Sequence, residues 1–304
     1  MKNIGIVGLG NMGMGMAKNL VANGFKVSGF DMNDTALETL TSLGGLAEKD
    51  SATVGANSDV VFVMVVNAKQ SNAVIFGEKG LLDTMRPGSV IVVTATIGSA
   101  AVQLIEAKAK ERQVIVIDCP VSGGQKGADA GQLTLMAAGD RTVYGRCSLV
   151  FKAIAKNINY VGEQVGQGQI VKACMQGLVG CIYSGMFEVM LLGVKAGVSA
   201  ESLFNVIGTS VANTPLFQGA IPAVMDRKFK GTGSNIGNTY KDLTITMALA
   251  EEQGVPMMTT GTAKQFFQAG ITKFPNEDNQ CLIKVLEDIV GVEVKRSAES
   301  PAPL

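Results

Sequence analysis

Short runs rich in valine and isoleucine recur through the first half of the chain, over residues 4–7, 27–30, 60–66, 90–94 and 114–117. Stretches with helical spacing lie between them, at 14–23, 34–43 and 99–112. Apolar strands alternating with helices bury both faces of a parallel sheet, so this rhythm predicts a doubly wound α/β fold. Two more runs, 133–137 and 158–161, are expected to complete the sheet, with one helix over 141–156 between them. After Gly162 the pattern changes. A long proline-free helix is predicted from 164 to about 196, then helices at 242–253, 260–269 and 276–290. The expected organisation is an α/β domain at 1–163 and an all-α domain at 164–293, joined by the long helix. The polar, proline-bearing end, 294–304, reads as a disordered tail.

With 304 residues the chain can bury two cores. A mean hydropathy of +0.27 suits buried parallel strands or a membrane protein. The longest unbroken apolar run, VVFVMVV at 60–66, is far short of the roughly 20 residues a spanning helix needs, so no membrane partner is expected. The start, MKNIGIVGLGN, carries one basic residue and a glycine-broken run, and reads as a first strand rather than a signal peptide. Basic and acidic residues balance at 26 each, which leaves no electrostatic footprint for nucleic acid. Five cysteines without C-x-x-C spacing suit reduced thiols in a cytoplasm and no thiolate zinc site. There is no histidine, which excludes Ser-His-Asp hydrolysis, histidine acid–base chemistry and histidine-ligated metals. Proton transfer must therefore use Lys, Asp, Glu, Tyr, Cys or water.

Directly after the first strand stands GLGNMG, residues Gly8, Leu9, Gly10, Asn11, Met12 and Gly13. The first glycine allows a tight turn, the second lets a pyrophosphate reach the backbone, and the third lets helix and strand pack closely. Asp31, at the end of the second strand, is placed to accept hydrogen bonds from adenosine ribose hydroxyls. It would repel a 2′-phosphate, which favours NAD over NADP. No tyrosine is followed four residues later by lysine, which excludes the short-chain dehydrogenases. The loop DCPVSGG at 118–124 offers Ser122, Gly123 and Gly124 to a carboxylate beyond a strand end. In the long helix, Gln169, Lys172, Gln176, Gly180 and Tyr183 fall in one line, and nearly everything off that line is apolar. A snorkelling lysine on a solvent edge and a polar stripe lining a cleft both fit that pattern.

Five segments taken in order, GLGNMGMGMAKNL, TATIGS, DCPVSGG, GQGQIVKACMQ and YKDL, resemble the β-hydroxyacid dehydrogenases from residue 1 to about 291. The resemblance implies a Rossmann domain followed by a long interdomain helix and an all-α domain, with NAD held by residues 8–13 and Asp31, Thr96 beside the nicotinamide ribose, and Lys241, paired with Asp242, closing over the cofactor. It also implies a substrate carboxylate on Ser122, Gly123 and Gly124, Lys172 as the catalytic acid–base, and a homodimer or homotetramer. The polar line of the long helix would then face the interdomain cleft. An unperturbed lysine near 10.4 is a poor base at neutral pH, so dry surroundings are required of it. Met175 and Gln176 stand where the family commonly has asparagines. Gln176 resembles the L-threonate dehydrogenase branch and keeps an amide one turn from Lys172 for substrate orientation. SNIGNT before YKDL hints at a hydroxylated substrate, such as a four-carbon sugar acid. A semialdehyde reductase of the same family and a non-catalytic NAD-binding protein are the alternatives.

Overall fold

The computed structural model describes residues 1–297. The chain forms two compact units, Met1–Lys172 and a second beginning at Ala173.

The first unit is built on nine strands: β1 Asn3–Val7, β2 Lys26–Phe30, β3 Leu46–Ala47, β4 Val60–Val63, β5 Val90–Val93, β6 Ile115–Asp118, β7 Val121–Ser122, β8 Leu133–Ala138 and β9 Ala155–Gly162. Its helices are α1 Asn11–Ala22, α2 Asp34–Ser42, α3 Ser51–Asn57, α4 Ala68–Phe76, α5 Ser99–Glu111, α6 Gly124–Asp129, α7 Arg141–Arg146 and α8 Ser148–Ile154. The strand order is β3-β2-β1-β4-β5-β6-β8-β7, with β9 beside β8. The six strands from β3 to β6 run parallel, β8 is antiparallel to β6 and β7, and β9 is parallel to β8. Alternate residues of one strand enter opposite cores: Val60 and Phe62 join the cluster around Leu20 and Phe151, while Val61 and Val63 join the one around Ile75 and Ile105. Continuous apolar runs therefore mark strands covered on both faces.

Register sets where the loops emerge. Val7 pairs with Phe30 and Val63, and Val93 pairs with Asp118, so Gly8, Asp31, the segment after Thr94 and Asp118 all leave the same edge of the sheet. Ligands of open α/β sheets bind beyond such carboxyl ends, at the point where strand order reverses, here between β1 and β4.

A helix labelled α9, Gln167–Lys195, follows, then α10 Ala200–Thr209, α11 Pro215–Met225, α12 Ile236–Glu252, α13 Met258–Lys273 and α14 Leu282–Val290. The core of the second unit gathers Tyr183, Phe187 and Met190 of α9 with Phe217, Leu243, Phe267 and Leu282. At 29 residues and mean hydropathy 1.7 over its most apolar window, α9 is long and apolar enough to cross a membrane. No unbroken apolar run reveals this, because glycines, glutamines and Lys172 interrupt it.

Two expectations need correcting. The single helix over 141–156 is two, because Cys147 ends α7 and begins α8, and Ala155 turns extended to pair with β8. The first turns of α9 bond to β6 and β7, so the compact first unit takes in the head of that helix as far as Lys172. Residues 294–297 are held rather than disordered. Val294 is fully buried and donates its N–H to Glu287, while Ser297 bonds to Glu201. Residues 298–304 lie outside the described part.

Candidate functional site

The three glycines of the turn after β1 have separable reasons. Gly8 has φ +94°, in the left-handed region, and a side chain there would also meet the Met64 carbonyl. A Cβ at Gly13 would lie 1.9 Å from the Gly8 oxygen, so helix and turn touch there. Gly10 needs no glycine for the fold: its φ is −65° and nothing lies within 4 Å of a Cβ built on it. It stands exposed at the N-cap of α1, leaving room for a pyrophosphate to approach the backbone at the helix N-terminus. Asn11 and Met12 open that helix. Asp31 accepts from the Leu9 N–H at 2.6 Å and from the Asn33 N–H at 2.9 Å. Each carboxylate oxygen has a second lone pair, so ribose hydroxyls can still be received. The residues fit the dinucleotide.

Beyond β5, Thr96 is half-buried in a segment whose backbone bonds to Gln169: Ile97 and Gly98 donate to its Oε1 at 2.9 and 3.1 Å, and its Nε2 donates to the Ala95 carbonyl at 3.0 Å. The same Nε2 donates to Asp118 Oδ1 at 2.9 Å. Asp118 is fully buried and accepts from the Gly166 and Gln169 N–H groups at 3.0 Å, so it caps the head of α9 from another element. Gly168 permits this approach, since a Cβ there would lie 2.9 Å from Asp118 Oδ2. Burial pushes the Asp118 carboxyl up to about 6, against the pull of these hydrogen bonds. Sequence reasoning gave neither Asp118 nor Gln169 a chemical role.

Lys172 is 6% exposed. Its Nζ donates to the Val121 carbonyl at 2.9 Å, one residue before Ser122, Gly123 and Gly124. Within the first unit the lysine therefore stands beside the loop expected to take a carboxylate. Gly123 has φ +128°, a conformation side chains avoid, and Ser122 pairs with Thr134 on the sheet edge. The second unit holds its own polar group: Gln176, one turn beyond Lys172 on α9, donates to Asp242, and Asp242 pairs with Lys241 at 3.0 Å.

The line along α9 is thus inverted relative to a surface helix. Gln169, Lys172 and Tyr183 are buried, whereas Val171, Leu178 and Leu192 are exposed, Leu192 by 70%. The snorkelling reading of Lys172 is set aside by its burial.

Residues 3–162 match the family described as the NAD binding domain of 6-phosphogluconate dehydrogenase. Residues 166–286 match the NAD-binding domain of NADP-dependent 3-hydroxyisobutyrate dehydrogenase. L-threonate dehydrogenase of Cupriavidus necator is 31% identical, over 98% of this chain and 99% of that one. 2-(Hydroxymethyl)glutarate dehydrogenase of Eubacterium barkeri is 33% identical, over 96% and 97%. The crystal structure of 3-hydroxyisobutyrate dehydrogenase from Salmonella typhimurium superposes with a TM-score of 0.86 at 30% identity, covering 94% of this chain and all of that one. With the two family matches, near-full-length relatives and the Rossmann glycine turn in agreement, the chain belongs to the 3-hydroxyisobutyrate dehydrogenase family of NAD-dependent hydroxy-acid oxidoreductases.

Proposed function

We propose that this enzyme oxidises the hydroxyl of a small hydroxy acid, a four-carbon sugar acid of the L-threonate type in the first instance, or reduces the corresponding carbonyl. The observation that carries the reading is Lys172: a buried cation-forming group bonded to Val121, directly before the Ser122-Gly123-Gly124 loop. Bound NAD supplies the hydride acceptor. The glycine turn at residues 8–13 and Asp31 hold its adenosine and pyrophosphate part, and Thr96 and Lys241 serve the nicotinamide side. The Ser122 loop orients the substrate carboxylate, and Lys172 takes the hydroxyl proton in oxidation or returns it in reduction. Gln176, set by Asp242, orients a further substrate oxygen. Its glutamine, the L-threonate dehydrogenases among the relatives, and the hydroxyl-rich cluster of Thr232 and Ser234 on Gln280 favour a hydroxylated substrate. A semialdehyde reductase would use the same lysine as its acid. A non-catalytic NAD-binding role has no use for a buried Lys172 beside a carboxylate loop.

The exposed face of α9 repeats at seven-residue spacing, Val171, Leu178, Gly185 and Leu192, which suits close packing against a second copy. We assign it to a homodimer or homotetramer in the cytoplasm, where the five cysteines stay free. Light scattering of Leu178→Glu, Leu192→Glu should show smaller particles, and binding of the wild type to vesicles instead would sink this assignment. The substrate test is a panel of threonate, erythronate, glycerate, 3-hydroxyisobutyrate and 4-hydroxybutyrate followed by NADH absorbance. Threonate or erythronate should lead in kcat/KM, and turnover of none would overturn the reading.

A further inference from the structure

A carboxamide can make four hydrogen bonds, two as donor and two as acceptor. Gln169 makes all four inside the first unit, to Ala95, Asp118, Ile97 and Gly98. The amide cannot turn over, since its NH₂ would then face two backbone N–H donors. Three of the four partners are backbone groups flanking Thr96: the carbonyl before it and the two N–H groups after it. The segment has left the sheet by then, its last strand-like bonds being those of Thr94 and Ala95 to the Val63 carbonyl. One side chain from the head of α9 thus holds three backbone groups of that segment. The fourth bond, to Asp118, joins that side chain to the carboxylate that also receives the Gly166 and Gln169 N–H groups. Lys172 follows on the same helix, three residues on.

We propose that Gln169, anchored by Asp118, is a positioning residue for hydride transfer: its carboxamide brackets Thr96 and fixes it relative to Lys172. This rests on the roles proposed above for Thr96 and Lys172. Transfer between two carbons tolerates little displacement, so a joint that ties the nicotinamide-side segment to the proton-transfer helix sets the rate without touching either reactant.

Three variants test this. Gln169→Leu keeps volume and removes all four bonds. In the free protein, hydrogen exchange should show the Ile97 and Gly98 amides losing their protection while amides of β1 and β4 keep theirs. NADH affinity, read from nicotinamide fluorescence, should stay within about threefold, whereas kcat should fall by about 100-fold, and the primary deuterium isotope effect should rise. Partial unfolding would lower kcat in proportion to the folded fraction and leave the isotope effect unchanged. Gln169→Glu sets a carboxylate against Asp118, and adding Asp118→Asn restores a donor opposite it, so the double variant should regain part of the lost turnover. Unchanged exchange at Ile97 and Gly98, or an unchanged isotope effect in Gln169→Leu, overturns the proposal. Should the wild type oxidise none of the acids, the functional reading falls, and the exchange measurement still decides whether Gln169 holds the Thr96 segment.

Discussion

The Asp31 carboxylate accepts the backbone N–H of Leu9 at 2.6 Å, strapping the end of β2 to the middle of the glycine turn. The residue expected to choose the cofactor also shapes the loop that holds it. Asn at this position keeps an acceptor for Leu9 but loses the charge and turns its NH₂ toward the Asn33 N–H, whereas Ala loses both acceptors. Wild type should prefer NAD over NADP by at least about tenfold in kcat/KM, roughly 1.4 kcal/mol. Asp31→Asn should shrink that preference with a smaller loss of Tm than Asp31→Ala, which gives up both hydrogen bonds. Equal kinetics with both cofactors in the wild type would remove the assigned role.

Gly10 and Gly13 should fail differently. Gly13→Ala drives a Cβ to 1.9 Å from the Gly8 carbonyl, so it should cost stability, by about 1–3 kcal/mol in urea unfolding. Gly10→Ala meets nothing in the free protein and should unfold like the wild type. Its NADH affinity, measured by fluorescence titration, should nevertheless drop by tenfold or more, about 1.4 kcal/mol. Normal NADH binding by Gly10→Ala would mean that no pyrophosphate approaches there.

Lys172→Ala should separate binding from turnover. The nucleotide is assigned to other groups, so NADH affinity should hold while kcat falls by about 100-fold or more. With no histidine in the chain, the alkaline limb of the oxidation profile should vanish with the lysine. Near-normal turnover with an unaltered profile would leave Lys172 a structural donor to Val121.

Asp118 sets burial against hydrogen bonding, and pH reads the balance. Its carboxyl ionises near 3.8 unperturbed and near about 6 in the fold, where desolvation outweighs the donors at the head of α9. Between those values the folded protein keeps a proton that the unfolded chain has released. This group's stabilisation is therefore complete below about pH 4 and lost as pH rises through about 6. Urea unfolding should show the penalty of Asp118→Asn shrinking over that window, by on the order of 3 kcal/mol. A penalty that grows with pH would mean that the helix N-terminus wins and the carboxylate is the favoured form.

What could be read in advance was local. The valine runs and the GLGNMG turn state their geometry within a few residues, and the α/β class follows from them, whereas the family rests on five segments in order. Asp118 and Gln169 are 51 residues apart, and only tertiary packing brings them together. In DCPVSGG the serine and glycines stand out as ligand-binding residue types, whereas the aspartate is buried and acts on α9. The polar line on α9 signalled Gln169, but spacing cannot show four filled bonds. The break at Cys147 escaped notice because residues 141–156 contain no proline, and strand pairing with β8 overrides their helical pattern. Val294 escaped because the polar end hides one anchoring valine.

The position of the unit boundary has a consequence for how such an enzyme changes. The glycine turn, Asp31, Thr96, Ser122, Gln169 and Lys172 all precede residue 173, whereas Gln176, Ser234, Lys241 and Asp242 follow it. Apart from Lys241, the residues proposed to hold the dinucleotide and to carry the proton thus share one unit, and Gln176, proposed to meet a further substrate oxygen, belongs to the other. On the proposed roles, a library confined to position 176 should explore new hydroxy acids while leaving the glycine turn, Ser122 and Lys172 untouched.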